Sequence, residues 1–238
     1  MSNSYFQFKQ FRIDQGDCAM KVTTEGCILG AWAHALKPER ILDIGAGTGV
    51  LTLMLAQRYN CALDAVEIDE LAADQALENF SSSPWNERLR LYYRDVETFA
   101  PGTNIQYDLI ISNPPFFNAN LKSESRVKNL AIHDSSLPQD MLLHVISNLI
   151  SNRGMAFVIY PEYEANQFLN LIEQVGMNGR VSLIIKNKPK GAVFRKVIEF
   201  SKCDLSKPDF PQELNIRNEQ NEFSDEYVKL MKSYYLHL

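Results

Sequence analysis

The segment Ile41-Leu42-Asp43-Ile44, Gly45-Ala46-Gly47-Thr48-Gly49, Val50–Ala56 constrains the fold more than any other. It reads as a short buried strand, a glycine turn and an apolar helix, the opening of a nucleotide-binding β-α-β unit. The rest of the chain continues the alternation. Strands are predicted at Ala62–Ile68, Leu89–Tyr93, Tyr107–Ser112, Gly154–Tyr160, Val181–Ile185 and Val193–Phe200. Helices are predicted at Gly26–Ala35, Val50–Tyr59, Leu71–Phe80, Pro138–Ile150, Glu162–Val175 and Ser224–Tyr235. Only Lys186–Ala192 separates the last two strands, room for a hairpin and not for a crossover helix. The expectation is an α/β fold: a mostly parallel seven-stranded sheet, an antiparallel hairpin at one edge, and helices on both faces.

The glycine loop is Gly-x-Gly-x-Gly, with Val50 where a dinucleotide loop carries its third glycine. Glycines there let a ligand approach the backbone, and they also suit a tight turn. The next strand ends in Glu67 and Asp69. An acid about 20 residues past the loop can accept hydrogen bonds from ribose hydroxyls. A carboxylate at that place also suits the start of the helix carrying Ala72, Ala73, Ala76, Leu77 and Phe80. Glu67 is taken for the ribose and Asp69 for the helix cap. Asp95 follows the third strand, where it suits either a turn or an acceptor for the amino group of a bound adenine.

Asn113-Pro114-Pro115-Phe116 follows the strand Tyr107–Ser112. The nitrogen of a planar amino group is a poor nucleophile, because its lone pair is delocalised. The Asn113 side-chain oxygen and the Pro114 carbonyl can each accept one N–H, which draws the nitrogen towards tetrahedral geometry. Phe116 can stack on the planar group. Two prolines restrict the backbone and hold the acceptors ready. A plain Pro-Pro turn is the competing reading.

Asp43-x-Gly45-x-Gly47-x-Gly49, Glu67, Asp95 and Asn113–Phe116, in this order and spacing, resemble the class I S-adenosylmethionine-dependent methyltransferases of the Asn-Pro-Pro-aromatic branch, which act on amino groups. Met20–Gly26 before Leu29-Gly30-Ala31-Trp32, Phe8-Lys9-Gln10-Phe11, and Tyr227–Leu230 with Tyr234-Tyr235-Leu236 are similar to the bacterial enzymes that methylate adenosine 37 of valine tRNA on its exocyclic nitrogen. Those enzymes usually carry Thr-Asp-Gly where this chain has Thr24-Glu25-Gly26. The resemblance implies a Rossmann-like fold, S-adenosylmethionine as cofactor and tRNA as substrate. It implies cofactor contacts from Lys21, Thr24, Asp43, Gly45, Gly47, Gly49, Glu67, Ile68, Asp95 and Asn113. The catalytic loop is then Asn113, Pro114, Pro115 and Phe116. Phe116, Phe117, Lys122, Arg126, Lys188, Lys190 and Arg195 are expected on the RNA side. Two other substrates stay open, a guanine N2 in ribosomal RNA and a protein glutamine, as does a nucleotide-binding module without chemistry.

The chain has 238 residues, 45% of them hydrophobic, enough for one substantial core. The expected organisation is one domain over 1–238, with residues 1–36 a helical segment serving substrate and cofactor and 37–238 the core. Cys18, Cys27, Cys61 and Cys203 show no metal or redox spacing and read as free thiols in a reducing compartment. His34, His133, His144 and His237 show no ligand spacing, so no metal is expected. No run approaches the ~20 apolar residues that span a bilayer, and a monomer in the cytoplasm is expected. The net charge of −5 argues against broad affinity for nucleic acid. Local clusters are basic: Lys186, Lys188, Lys190, Arg195 and Lys196 around the hairpin, and Lys122, Arg126 and Lys128 after the Asn-Pro-Pro-Phe loop. They suit RNA phosphates, and from charge alone ordinary solvated surface is the slightly preferred reading. Phe117–Ser136, long and polar, reads as a binding loop or as disorder.

Overall fold

The computed structural model describes residues 3–16, 21–115, 137–205 and 210–238. Two short strands, β1 (Tyr5–Gln7) and β2 (Arg12–Asp14), form an antiparallel hairpin ahead of α1 (Thr24–Trp32). The alternating core follows: β3 (Arg40–Ile44), α2 (Val50–Arg58), β4 (Ala62–Glu67), α3 (Glu70–Ser81), β5 (Leu89–Tyr93), α4 (Val96–Phe99), β6 (Tyr107–Ser112), α5 (Gln139–Leu149), β7 (Ile150–Tyr160) and α6 (Glu162–Gln174). The last elements are β8 (Asn178–Lys186), β9 (Val193–Ser201), β10 (Gln212–Asn215) and α7 (Asp225–Met231).

The large sheet has eight strands, ordered β10-β8-β9-β7-β6-β3-β4-β5. This corrects the expected count of seven. β10 adds in parallel to β8, pairing Gln212–Asn215 with Leu183–Lys186. The β8–β9 hairpin is therefore not at the edge. β9 is antiparallel to both neighbours, β7 and β8, and two strands lie outside it. β10 was missed for a physical reason. Of its four residues only Leu214 is buried, so it carries no alternation and exists through non-local pairing.

The strands place alternate residues on the two faces. Ile41, Leu63, Leu109, Ile111 and Phe157 join α1, α2, α3 and α7 in one apolar cluster. Leu42, Ile44, Ile110, Val158 and Phe200 join α4, α5 and α6 in another. β7 begins directly after α5, and its register against β6 slips between Tyr107 and Leu109. That irregularity hides the first residues of β7, which sequence periodicity places in the helix and a connection.

The N-terminal hairpin rests on the C-terminal residues. Phe8 bridges to Tyr235, and the Lys9 N–H donates to the Tyr234 carbonyl at 2.8 Å. Phe8 is fully buried and stacks on Phe11, with ring centroids 4.4 Å apart. Among the described residues no helix is long and apolar enough to cross a membrane.

Candidate active site

β3 is flanked by β4 on one side and β6 on the other, so the strand order reverses there. Crevices at such points, beyond the carboxyl ends of parallel strands, are where open α/β sheets bind ligands. The glycine loop leaves β3 at this place. Gly45, Gly47 and Gly49 have φ of 73°, 55° and 80°. The N–H groups of Gly45 and Ala46 donate to the Val66 carbonyl at 2.9 and 3.2 Å, tying the loop to β4. A Cβ on Gly45 or Gly47 would meet nothing within 4 Å, so this face of the loop is open to a ligand.

Asp43 lies beneath the loop at 1% exposure. Its Oδ2 accepts from the Thr52 N–H at 3.0 Å and the Thr52 hydroxyl at 2.7 Å, whereas Oδ1 has no partner among the described residues. Burial pushes the carboxyl up to about 7; the Thr52 hydrogen bonds oppose this and the nearby Glu67 charge adds to it. Thr52 is the residue that sequence reasoning overlooked. It is the single polar side chain within the apolar run Val50–Ala56, and it is fully buried. That polarity is the signal that could have found it.

Glu67 holds the loop from the β4 side. Its Oε2 accepts from the Gly47 N–H at 2.8 Å, and its Oε1 from the Ile68 and Asp69 N–H groups, both at 2.9 Å. Asp69 caps α3 through the Ala72 N–H at 2.8 Å, as assigned from sequence. Asp95 caps α4 through the Glu97 N–H at 2.8 Å and also lines the crevice. The turn and pocket readings of Asp95 are thus compatible.

Asn113 leaves β6 just after Ser112, whose hydroxyl donates to the Ile44 carbonyl at 2.8 Å. The Asn113 Oδ1 is buried and has no hydrogen-bond partner among the described residues. Its Nδ2 lies 3.4 Å from where a Cβ on Gly26 would stand, so the first turn of α1 abuts it. Thr23 caps that turn, its Oγ1 accepting from the Gly26 N–H at 3.2 Å. A pocket of about 160 Å³ gathers Gly45, Ile68, Asp95, Ser112, Pro114 and Pro115. Motifs far apart in sequence therefore converge on one crevice. Asp43, Gly47, Gly49, Glu67 and Asn113 adjoin these residues but are not themselves in the lining; Lys21 donates to the Asn3 carbonyl at 3.4 Å, and the exposed Thr24 lines a different cavity. Phe116, Phe117, Lys122, Arg126 and Lys128 lie outside the described residues.

The family model for the Methyltransferase small domain matches residues 28–143. A protein of Cytophaga hutchinsonii named tRNA1(Val) (adenine(37)-N6)-methyltransferase is 40% identical over 240 residues, covering all of both chains. Proteins of the same name from Bacteroides fragilis and Aliivibrio fischeri are 39% and 40% identical over 99% and 100% of both chains. The chain belongs to the tRNA1(Val) (adenine(37)-N6)-methyltransferase family. Solved structures agree on the fold of this methyltransferase. One described as a predicted O-methyltransferase from Agrobacterium tumefaciens has a TM-score of 0.66 at 15% identity, covering 87% of this chain and 95% of that one. A ribosomal protein L11 methylase from Lactobacillus delbrueckii gives 0.56 at 15% identity, covering 81% and 84%.

The basic residues of this methyltransferase divide into two kinds. Lys188 and Lys190 are exposed on the β8–β9 loop and have no ion-pair partner among the described residues. Lys186 instead pairs with Glu213 at 3.0 Å and Lys196 with Glu162 at 2.9 Å. Arg195 pairs with Glu25 at 3.4 Å, and its guanidinium lies 4.2 Å from the centroid of the Phe194 ring. Cys27, Cys61 and Cys203 are free thiols, and Cys18 is outside the described residues. Among the described residues no group of three His, Cys, Asp or Glu is placed to hold a metal.

Proposed function

We infer that the protein transfers a methyl group from S-adenosylmethionine to the exocyclic N6 of an adenosine in tRNA, adenosine 37 of valine tRNA. The observation that carries this reading is the Asn113 Oδ1, a buried acceptor with no partner among the described residues, at the end of the β3–β6 pairing where the glycine loop begins. Buried acceptors are normally satisfied, so one left open at a crevice is suited to a donor on a ligand. The open backbone at Gly45 and Gly47 fits a ligand with close main-chain contact.

When bound, S-adenosylmethionine supplies an electrophilic methyl on a positively charged sulfonium. The chain's own residues do the rest. Glu67 ties the glycine loop, through the Gly47 N–H, to the turn after β4, through the Ile68 and Asp69 N–H groups, and presents its remaining lone pairs to the ribose hydroxyls. Asp95 and Ile68 border the place for the adenine. Asp43, almost wholly buried, shapes the loop from behind. Asn113 Oδ1 and the Pro114 carbonyl accept the two N–H bonds of the target amine and orient its lone pair. Phe116 is assigned to stack on the target base, from the sequence motif alone. The proton released after attack leaves to water. One chain brings all the described parts of the crevice together, so a monomer is the proposed working unit, acting in the cytoplasm where tRNA is found.

The test is single-turnover methyl transfer with cofactor titration. Asn113→Ala should lower turnover by ~10²–10³, the usual cost of one preorganised polar contact, with S-adenosylmethionine affinity nearly unchanged. Near-normal transfer would sink the mechanism. Nucleoside mass spectrometry of tRNA from cells with and without the gene tests the substrate: N6-methyladenosine should disappear from valine tRNA alone.

A further inference from the structure

A second cavity, of about 370 Å³, borders the first turn of α1, the turn that abuts Asn113. Gly26 in that turn abuts Asn113, whereas Thr24 and Glu25 line this cavity. An α-helix turn advances 5.4 Å, so the two sites are close neighbours. Phe194 and Phe223 contribute rings, and each carries a guanidinium on its face: Arg195 at 4.2 Å from the Phe194 centroid, Arg217 at 4.8 Å from the Phe223 centroid. Tyr227 and Tyr235 complete the aromatic lining, with Phe223 stacked on Tyr227 at 5.0 Å. Asn187 lies at the margin and leads directly into Lys188 and Lys190, the exposed cations of the β8–β9 loop.

Tyr227 and Tyr235 also serve the core, whereas Phe223 is 37% exposed and Lys188 and Lys190 are exposed, positions that core packing does not require. Aromatic rings and arginine planes are the surfaces on which unstacked bases lie, with lysines taking the adjoining phosphates. The Glu25 carboxylate, 15% exposed, adds an acceptor that a base amino group can reach. Nucleotides in a stacked strand are about 3.4 Å apart and can be farther apart when unstacked, so one nucleotide step spans a helical turn.

We propose that this aromatic cavity holds the base of the nucleotide next to the target adenosine, so that two adjacent bases are unstacked across the N-terminus of α1. The proposal rests on the reading of the chain as a tRNA methyltransferase and extends it to substrate recognition. The Arg217 guanidinium plane, backed by the Phe223 ring, is the platform, and Lys188 and Lys190 guide the backbone.

The experiment measures binding of a fluorescently labelled valine-tRNA anticodon stem–loop, alongside two versions with an abasic residue on one side or the other of adenosine 37. The wild-type protein should bind one abasic version roughly tenfold more weakly than the intact RNA. Phe223→Ala should lose a similar factor on intact RNA and show no further loss with that abasic version. Phe223→Tyr should restore binding, and S-adenosylmethionine affinity should not change in any variant. If Phe223→Ala fails to fold, Phe223→Leu keeps apolar volume without an aromatic face and serves instead. Wild-type affinity in a folded variant, or an abasic penalty that persists undiminished in it, overturns the proposal. A wild-type protein that shows this coupling but does not methylate the stem–loop would remove the reaction assignment and leave the cavity's role standing. Methylation without coupling would remove the cavity's role alone, and absence of RNA binding would remove both.

Discussion

Glu67 has two duties, and its replacement should reveal both. The carboxylate accepts from Gly47, Ile68 and Asp69, so it holds the loop as well as offering an acceptor to the ribose. A charged acceptor is worth roughly 1.5–3 kcal/mol. Glu67→Ala should therefore lower cofactor affinity by roughly tenfold or more and also depress the melting temperature of the free protein. Glu67→Gln keeps one oxygen and should fall between. Calorimetry and thermal unfolding separate the two effects; an alanine variant normal in both would refute both duties. Asp43 gives a pH-dependent signature. Its carboxyl is raised by burial from 3.8 to about 7, so the folded state binds the proton more tightly than the unfolded chain. That contribution to stability is fully present below the unfolded value and is lost as pH rises through about 7. An asparagine there cannot titrate. The stability of wild type relative to Asp43→Asn should thus fall by about 2 kcal/mol between pH 5 and pH 8, as read by denaturant titration. A pH-independent difference would mean that Asp43 keeps its charge when buried.

Between elements, the start of α2 is packed against the end of α3 with little slack. Gly49 has φ of 80°, and a Cβ there would come within 2.4 Å of a Phe80 ring carbon. Gly49→Ala combines backbone strain with overpacking and should cost about 2–4 kcal/mol. Phe80→Leu removes the obstructing ring, so in the double variant the two losses should be less than additive. Denaturant midpoints of the four proteins test this. The same scale shows what was legible in the sequence. β3, β4, β5 and β6 are short strands of apolar character with Asp43, Glu67, Asp95 and Asn113 in or just after their last residues, so the crevice could be read directly. β1, β2 and β10 are three or four residues long and depend on partners distant in the chain. Charge was equally visible, but pairing was not. Nothing local indicates that Lys186, Lys196 and Arg195 meet Glu213, Glu162 and Glu25 while Lys188 and Lys190 stay open. Nor does local sequence place Thr24 on a cavity other than the glycine pocket.

Across the whole molecule, the N-terminal hairpin, α1 and the C-terminal residues form one packed unit against the core. Phe8 is its centre, with ring centroids 4.4, 4.7 and 5.8 Å from Phe11, Phe6 and Tyr235. Phe8→Ala should cost about 3–5 kcal/mol, the usual penalty for deleting a buried aromatic ring, measured by denaturant titration. A loss below 1 kcal/mol would mean that the two segments do not depend on each other. This packing also has a consequence for synthesis. The residues of the crevice, from Asp43 to Pro138, leave the ribosome well before Phe223, Tyr227 and Tyr235, and domains can begin folding as they emerge. Yet α1, whose first turn abuts Asn113, shares its apolar cluster with Tyr227, Met231 and Tyr234. A nascent chain that has passed Pro138 holds the lining of the crevice but lacks the residues that complete the support of α1. Its ability to bind the small molecule should therefore arise earlier in translation than its ability to grip RNA.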